Sequence, residues 1–182
     1  VKGLLEIRGK DGLIRPYVEL DGQRLPLCPV WSREHCWIPR FVSEEQALRF
    51  TCTYLTPVGE RALVLRLSVQ NQNAEPRTVR FGTDGQWDQT LHEVNETTEL
   101  TEGREAYGSG WNHMFIFSQK PGLPLFAFAP CVADPQQFAE IDQQARWNRS
   151  DFAYDIYRET VLQPGETAVL DIPWGVGYEG VA

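Results

Sequence analysis

Cationic side chains are in short supply in this sequence, and long apolar runs are missing. Seventeen Lys and Arg against 25 Asp and Glu leave a formal charge of −8. A surface that neutralises phosphates needs clustered cations to release counterions, so nucleic acid is excluded as a partner and neutral ligands are favoured. No apolar run approaches the ~20 residues that cross a bilayer as a helix, and the start lacks the charged-then-apolar pattern of an export signal. No membrane partner is expected, and the expected compartment is the cytoplasm.

Catalytic and metal signatures are equally sparse. His35, His92 and His113 stand in no HExxH or HxH spacing. Cys28, Cys36, Cys52 and Cys131 form no CxxC pair, which excludes a zinc ribbon or a redox motif. Cys52 and Cys131 lie inside apolar runs, where a reduced thiol serves as a small core residue, and all four are expected to be free. The GxSxG nucleophile elbow, the GxGxxG dinucleotide loop and the phosphate-cradling GxxxxGK-S/T are all missing. No catalytic residue, metal or cofactor is expected within these residues.

What the chain does carry is apolar and aromatic side chains. Of its 182 residues 42% are hydrophobic and 12% aromatic, enough for one well-buried core and few for two. A single domain over residues 1–182 is expected. Period-two alternation dominates it. Leu48, Phe50, Cys52 and Tyr54 share one face, and Leu63, Leu65, Leu67 and Val69 repeat the pattern after the turn residues Pro57 and Gly59. Val79 and Phe81 resume it beyond Pro76, which predicts a meander of three antiparallel strands. Asp21-Gly22 predicts a tight hairpin between Tyr17–Leu20 and Arg24–Leu27. Met114–Ser118 and Leu125–Ala129 form another strand pair, and Pro164-Gly165 predicts a terminal hairpin between Tyr157–Leu162 and Thr167–Ile172. One stretch departs from this rhythm. Asp134-Pro135 offers a helix cap and first turn, with Phe138, Ile141 and Ala145 on one stripe, so a helix ending near Trp147 is predicted. The expected fold class is all-β, a two-sheet antiparallel sandwich with one short helix.

Candidate binding residues are aromatic. Trp31, Trp37, Trp87 and Trp111 fall near turns and strand ends, where a ring can stack on the C–H face of a sugar while Asp88 or His113 bonds its hydroxyls. The competing reading is core or interface packing, because Trp buries a large area. Turns of a sandwich cluster at its two ends, so these tryptophans are expected to gather near one end or face, leaving an apolar patch that another domain or a second copy covers. A homo-oligomer is one expected outcome.

The stretch YVELDGQRLPLCPVW, the pair LRFTCTYLTPVGERALVLRLSVQNQNAEPRTVRF and the following GQWD resemble the N-terminal β-sandwich of cellobiose-phosphorylase-like and glycogen-debranching-type glycoside hydrolases. The matching positions are Trp31, Pro57, Leu65, Asn71, Pro76, Arg77 and Trp87, and LQPGETAVLDIPWGVG is similar to the closing strands of the same sandwiches. The resemblance implies a supersandwich-like, non-catalytic accessory module whose partner is an (α/α) barrel catalytic domain of the same parent chain, carrying the general acid and base. Two further readings stand beside it. One is a free-standing module binding neutral oligosaccharides. The other is a sugar epimerase working by acid–base transfer, with His113 and Glu159 as its nominal pair.

Overall fold

The computed structural model describes residues 4–9, 14–60, 62–94, 97–101, 105–109, 114–118, 124–147 and 152–178, with side chains for 14–60, 62–86, 128–142, 144 and 153–175. Among these residues the chain forms two antiparallel sheets packed on one core, as the alternation predicts. The strands are β1 (Leu4–Gly9), β2 (Arg15–Leu20), β3 (Gln23–Arg24), β4 (Val30–Glu34), β5 (Ile38–Glu45), β6 (Leu48–Leu55), β7 (Ala62–Asn71) and β8 (Arg77–Val94). They continue with β9 (Thr97–Thr101), β10 (Glu105–Ser109), β11 (Met114–Ser118), β12 (Pro124–Phe128), β13 (Ile141–Trp147), β14 (Phe152–Leu162) and β15 (Thr167–Tyr178). The first sheet runs β13-β14-β8-β2-β3, with β1 and β9 on the far half of β8; the second runs β10-β11-β12-β15-β7-β6-β5-β4. No helix among the described residues is long and apolar enough to cross a membrane.

One face of each sheet builds the core. Val18, Val79, Phe81 and Ile156 from the first sheet join Phe50, Cys52, Leu65, Leu67 and Leu170 from the second, all essentially buried. Burial pushes the Cys52 thiol up to about 12, so it is an inert core residue. All four cysteines are free, but Cys131 is exposed rather than in the core: its backbone bridges Asp171 at the sheet margin. The Asp21-Gly22 turn has φ of 49° and 79°, the pair of positive angles that a two-residue hairpin needs.

Three local expectations are corrected. First, β7 pairs with β6, but β8 crosses to the other sheet, so the three-strand meander stops at two. Second, Pro164-Gly165 does not close a hairpin: β14 pairs with β8 and β15 with β7, so the turn is an arch between sheets. The physical reason for both is Asn71. Its side-chain amide donates to the carbonyls of Glu75 and Leu162 (2.9 Å each), while its backbone accepts from Gly165 N and donates to Glu166 O. Both arches are thereby pinned at one corner. Third, Asp134 caps a 3₁₀ helix over Pro135–Glu140, accepting from Gln136 N as expected, but Ile141–Trp147 is strand β13. The full ladder that β13 makes with β14 outweighs the weak helical stripe.

Candidate functional site

The β4–β5 hairpin places two of the expected tryptophans. Its turn holds His35 at φ 48° and Cys36 at φ 70°, an unusual pair of left-handed non-glycine residues, and so lifts Trp37 into solvent at 87% exposure. Trp31 lies in β4 opposite Phe41 and shares its face. Its ring sits 5.1 Å from Phe41 and stacks at 6.0 Å on Tyr54, yet it remains 59% exposed. It thus extends the core side of the second sheet as an aromatic shelf at the open edge.

The opposite sheet places Trp87 near the end of the β8–β14 ladder, opposite Phe152. Asp88 is the residue skipped in the β1–β8 register, where Arg8 faces Gln89 and Gly9 faces Trp87, so it marks a bulge. The side chains of Trp87 and Asp88, and the whole of Trp111 and His113, lie outside the described residues. Register puts Trp37 and Trp87 at the ends of their sheets away from the Asn71 corner. Trp31 lies further back along the side of the sandwich.

A site that the sequence did not suggest lies on the non-core face of the first sheet. Gly82 of β8 pairs with Tyr17 on one side and Tyr157 on the other, and both rings are nearly buried there. Arg24 caps the Tyr17 ring at 4.0 Å and Arg80 the Tyr157 ring at 4.1 Å. Beside them Asp84 and Asp155 face each other across the β8–β14 ladder. Like charges so placed repel, and the fold compensates. Asp84 accepts from Arg15 (2.8 Å) and Arg24 (2.9 Å), and Asp155 accepts from the Tyr17 hydroxyl (2.8 Å). Burial holds the Asp155 carboxyl above its ordinary range despite that hydrogen bond, and the same burial, with Asp155 beside it, pushes the Tyr17 phenol far up. Two carboxylates side by side on one sheet face, one held by two guanidiniums and the other by a phenol, do not face each other across a sugar, as glycosidic cleavage requires. Glu159, the nominal epimerase base, accepts from Arg80 at 2.9 Å. The signal for this face was the run Tyr17–Glu19 set against Asp155–Tyr157–Glu159, legible only once the strands are paired.

A groove of about 570 Å³ opens where β14 and β15 diverge, roofed by the 3₁₀ helix. Arg158 lies at its base, with a side chain only 7% exposed; it donates to Glu140 (2.7 Å) and to the Val169 carbonyl (2.8 Å). At the rim Arg66 grips Asp171 with two 2.8 Å hydrogen bonds. No cluster of His, Cys, Asp and Glu suited to a metal occurs among the described residues.

No protein-family profile and no curated protein matches this chain. Solved structures do. A provisionally assigned aldose 1-epimerase from Escherichia coli K12 aligns over 94% of this chain and 88% of its own, with a TM-score of 0.57 at 14% identity. A heparinase III aligns over 88% of this chain and 23% of its own (TM-score 0.52, 11% identity). A GH36 α-galactosidase from Geobacillus stearothermophilus aligns over 98% and 28% (TM-score 0.51, 13% identity). At such identities the likeness is one of fold. These neighbours are carbohydrate-active proteins, and the chain spans about a quarter of the heparinase and the galactosidase.

Proposed function

We propose that this chain is a non-catalytic sandwich module of a carbohydrate-active enzyme, seated on a catalytic (α/α) barrel of the same parent chain. The observation that carries the reading is the pattern of coverage: two large carbohydrate-active enzymes contain this fold as about a quarter of their length. The saturated ion pairs support it, since Asp84, Arg66, Arg80 and Arg158 already hold protein partners. The end bearing Trp37, with Trp87 and Asp88, is the proposed contact with the barrel or with a neutral oligosaccharide in its site. The test is twofold. A reading frame that continues into a further large domain supports the module, and a stop codon directly after Ala182 overturns it. Calorimetric titration of the chain with neutral oligosaccharides then separates the two roles. Heat lost in Trp37→Ala marks sugar contact, and no heat with any of them leaves the end to the barrel.

A sugar epimerase is the second reading, favoured by the near-complete coverage of both chains in the epimerase comparison. It requires an acid and a base at the ring oxygen and anomeric hydroxyl. An NMR anomerisation assay decides: catalysed interconversion that His113→Ala abolishes would establish it, and a rate equal to buffer removes it.

A further inference from the structure

Among the described residues strand β4 ends the second sheet and is laddered to β5 alone. All five of its residues are exposed, Val30 at 71% and Trp31 at 59%. Unpaired backbone along a strand edge is a template for another strand, and proteins usually blunt it with Pro, Lys, a bulge or a covering loop. The sequence Val30-Trp31-Ser32-Arg33-Glu34 contains neither Pro nor Lys, and its register with β5 is unbroken.

We propose that β4 pairs with β4 of a second copy of this chain, antiparallel about Ser32, joining the two second sheets into one. The register follows from the residues. Directly opposed residues share a face and faces alternate, so the two-fold axis must pass through a residue. Centred on Arg33 or Glu34, it sets like charges opposite each other. Centred on Val30 or Trp31, it leaves part of the strand unpaired. Centred on Ser32, all five residues pair, and each Trp31 lies opposite the other copy's Arg33 on the face that carries Phe41. That places a guanidinium against each exposed indole, a cation–π pair made twice by symmetry. The two indoles become diagonal neighbours within reach of one another. The shelf of Tyr54 and Trp31 then runs unbroken across the axis, so the residue that looks misplaced in one copy becomes interior in two. This pairing uses the side of the sandwich and is independent of the proposed barrel contact at its end.

The experiment is light scattering on the 182-residue chain, joined to cross-linking. A dimer at micromolar concentration is expected. Arg33→Glu removes both cation–π pairs and should weaken it by about tenfold or more. Val58→Ser, at a still more exposed apolar site away from this edge, should leave it unchanged. With Cys28, Cys36 and Cys131 replaced by serine, S32C should cross-link to itself on mild oxidation, because opposed strand residues lie about 5 Å apart at Cα, within disulfide reach. A chain that stays monomeric at about 100 µM, far above the micromolar range of a modest interface, overturns the proposal. So does a dimer that resists Arg33→Glu and leaves S32C unlinked.

Discussion

Asn71 is fully buried, and every polar group it owns has a partner in one of the two arches. Asn71→Ala deletes two donated hydrogen bonds and the two accepted from Asn73 N and Nδ2, and leaves the buried Leu162 carbonyl without its donor, at an expected cost of about 3 kcal/mol in urea unfolding. Gly82 is constrained differently. A Cβ there would meet the Ile156 carbonyl oxygen at 2.0 Å and Tyr157 Cα at 2.7 Å, both backbone atoms of the paired strand. Gly82→Ala must therefore push β8 and β14 apart and should cost at least about 3 kcal/mol, read the same way. Asp155 gives a pH signature. Burial raises its carboxyl, so the folded chain holds that proton to a higher pH than the unfolded chain does. Below the unfolded value, about 3.9, the group costs the fold nothing; the cost builds as pH rises to the raised folded value and then stays constant. Asp155→Asn removes that cost and keeps an acceptor for the Tyr17 hydroxyl. The melting temperature of the variant relative to the parent should thus climb from pH 4 upward and then level off. A difference that is flat across the range, or that falls, counts against this account.

Where strands diverge, single side chains replace the missing ladder. Arg158 of β14 bonds the carbonyl of Val169 in β15 and the carboxylate of Glu140 at the end of the 3₁₀ helix, tying three elements around the groove. The two partners are unequally buried, at 7% and 35% side-chain exposure, and that predicts an asymmetry. Glu140→Ala strands a buried cation and should cost about 3 kcal/mol, whereas Arg158→Met leaves a carboxylate that can turn to water and should cost about half as much. Equal costs in chemical denaturation would argue that desolvation of Arg158 is not the controlling factor. The same divergence explains what the sequence could and could not disclose. The Asp21-Gly22 hairpin and the β6–β7 pair were legible because turn chemistry and alternation act within a few residues. The arches were not, since Pro164-Gly165 reverses the chain equally well within a sheet or between sheets, and the choice rests on Asn71 some 90 positions away. Residues 141–147 read as helix because the stripe of Phe138, Ile141 and Ala145 is local, while the β14 ladder that claims them is not. The Asp84–Asp155 pair stayed hidden for the same reason.

At the scale of the whole molecule, its central ladders join distant parts of the chain. β7 residues 62–70 pair with β15 residues 175–167, and β8 residues 77–87 pair with β14 residues 162–152. Each closes a loop of many tens of residues before any of its hydrogen bonds form, and that entropy must be spent before the core repays it. Folding is therefore expected on the millisecond-to-second scale typical of non-local sandwiches. Trp174 is buried against Phe128 at 4.1 Å and Tyr154 at 5.5 Å, so its fluorescence should change as the two sheets meet. Because Asn71 ties the β7–β8 arch to the β14–β15 arch, its role in this step can be read from kinetics. If docking of the arches is part of the rate-limiting step, Asn71→Ala slows refolding and leaves unfolding nearly unchanged; if the arches lock afterwards, unfolding accelerates instead. The topology favours the first outcome, since neither long ladder can propagate until the corner that Asn71 holds has brought all four strands together. Stopped-flow fluorescence on both proteins decides it. Submillisecond refolding, or a variant altered only in its unfolding limb, would mean that the sheets assemble without that corner.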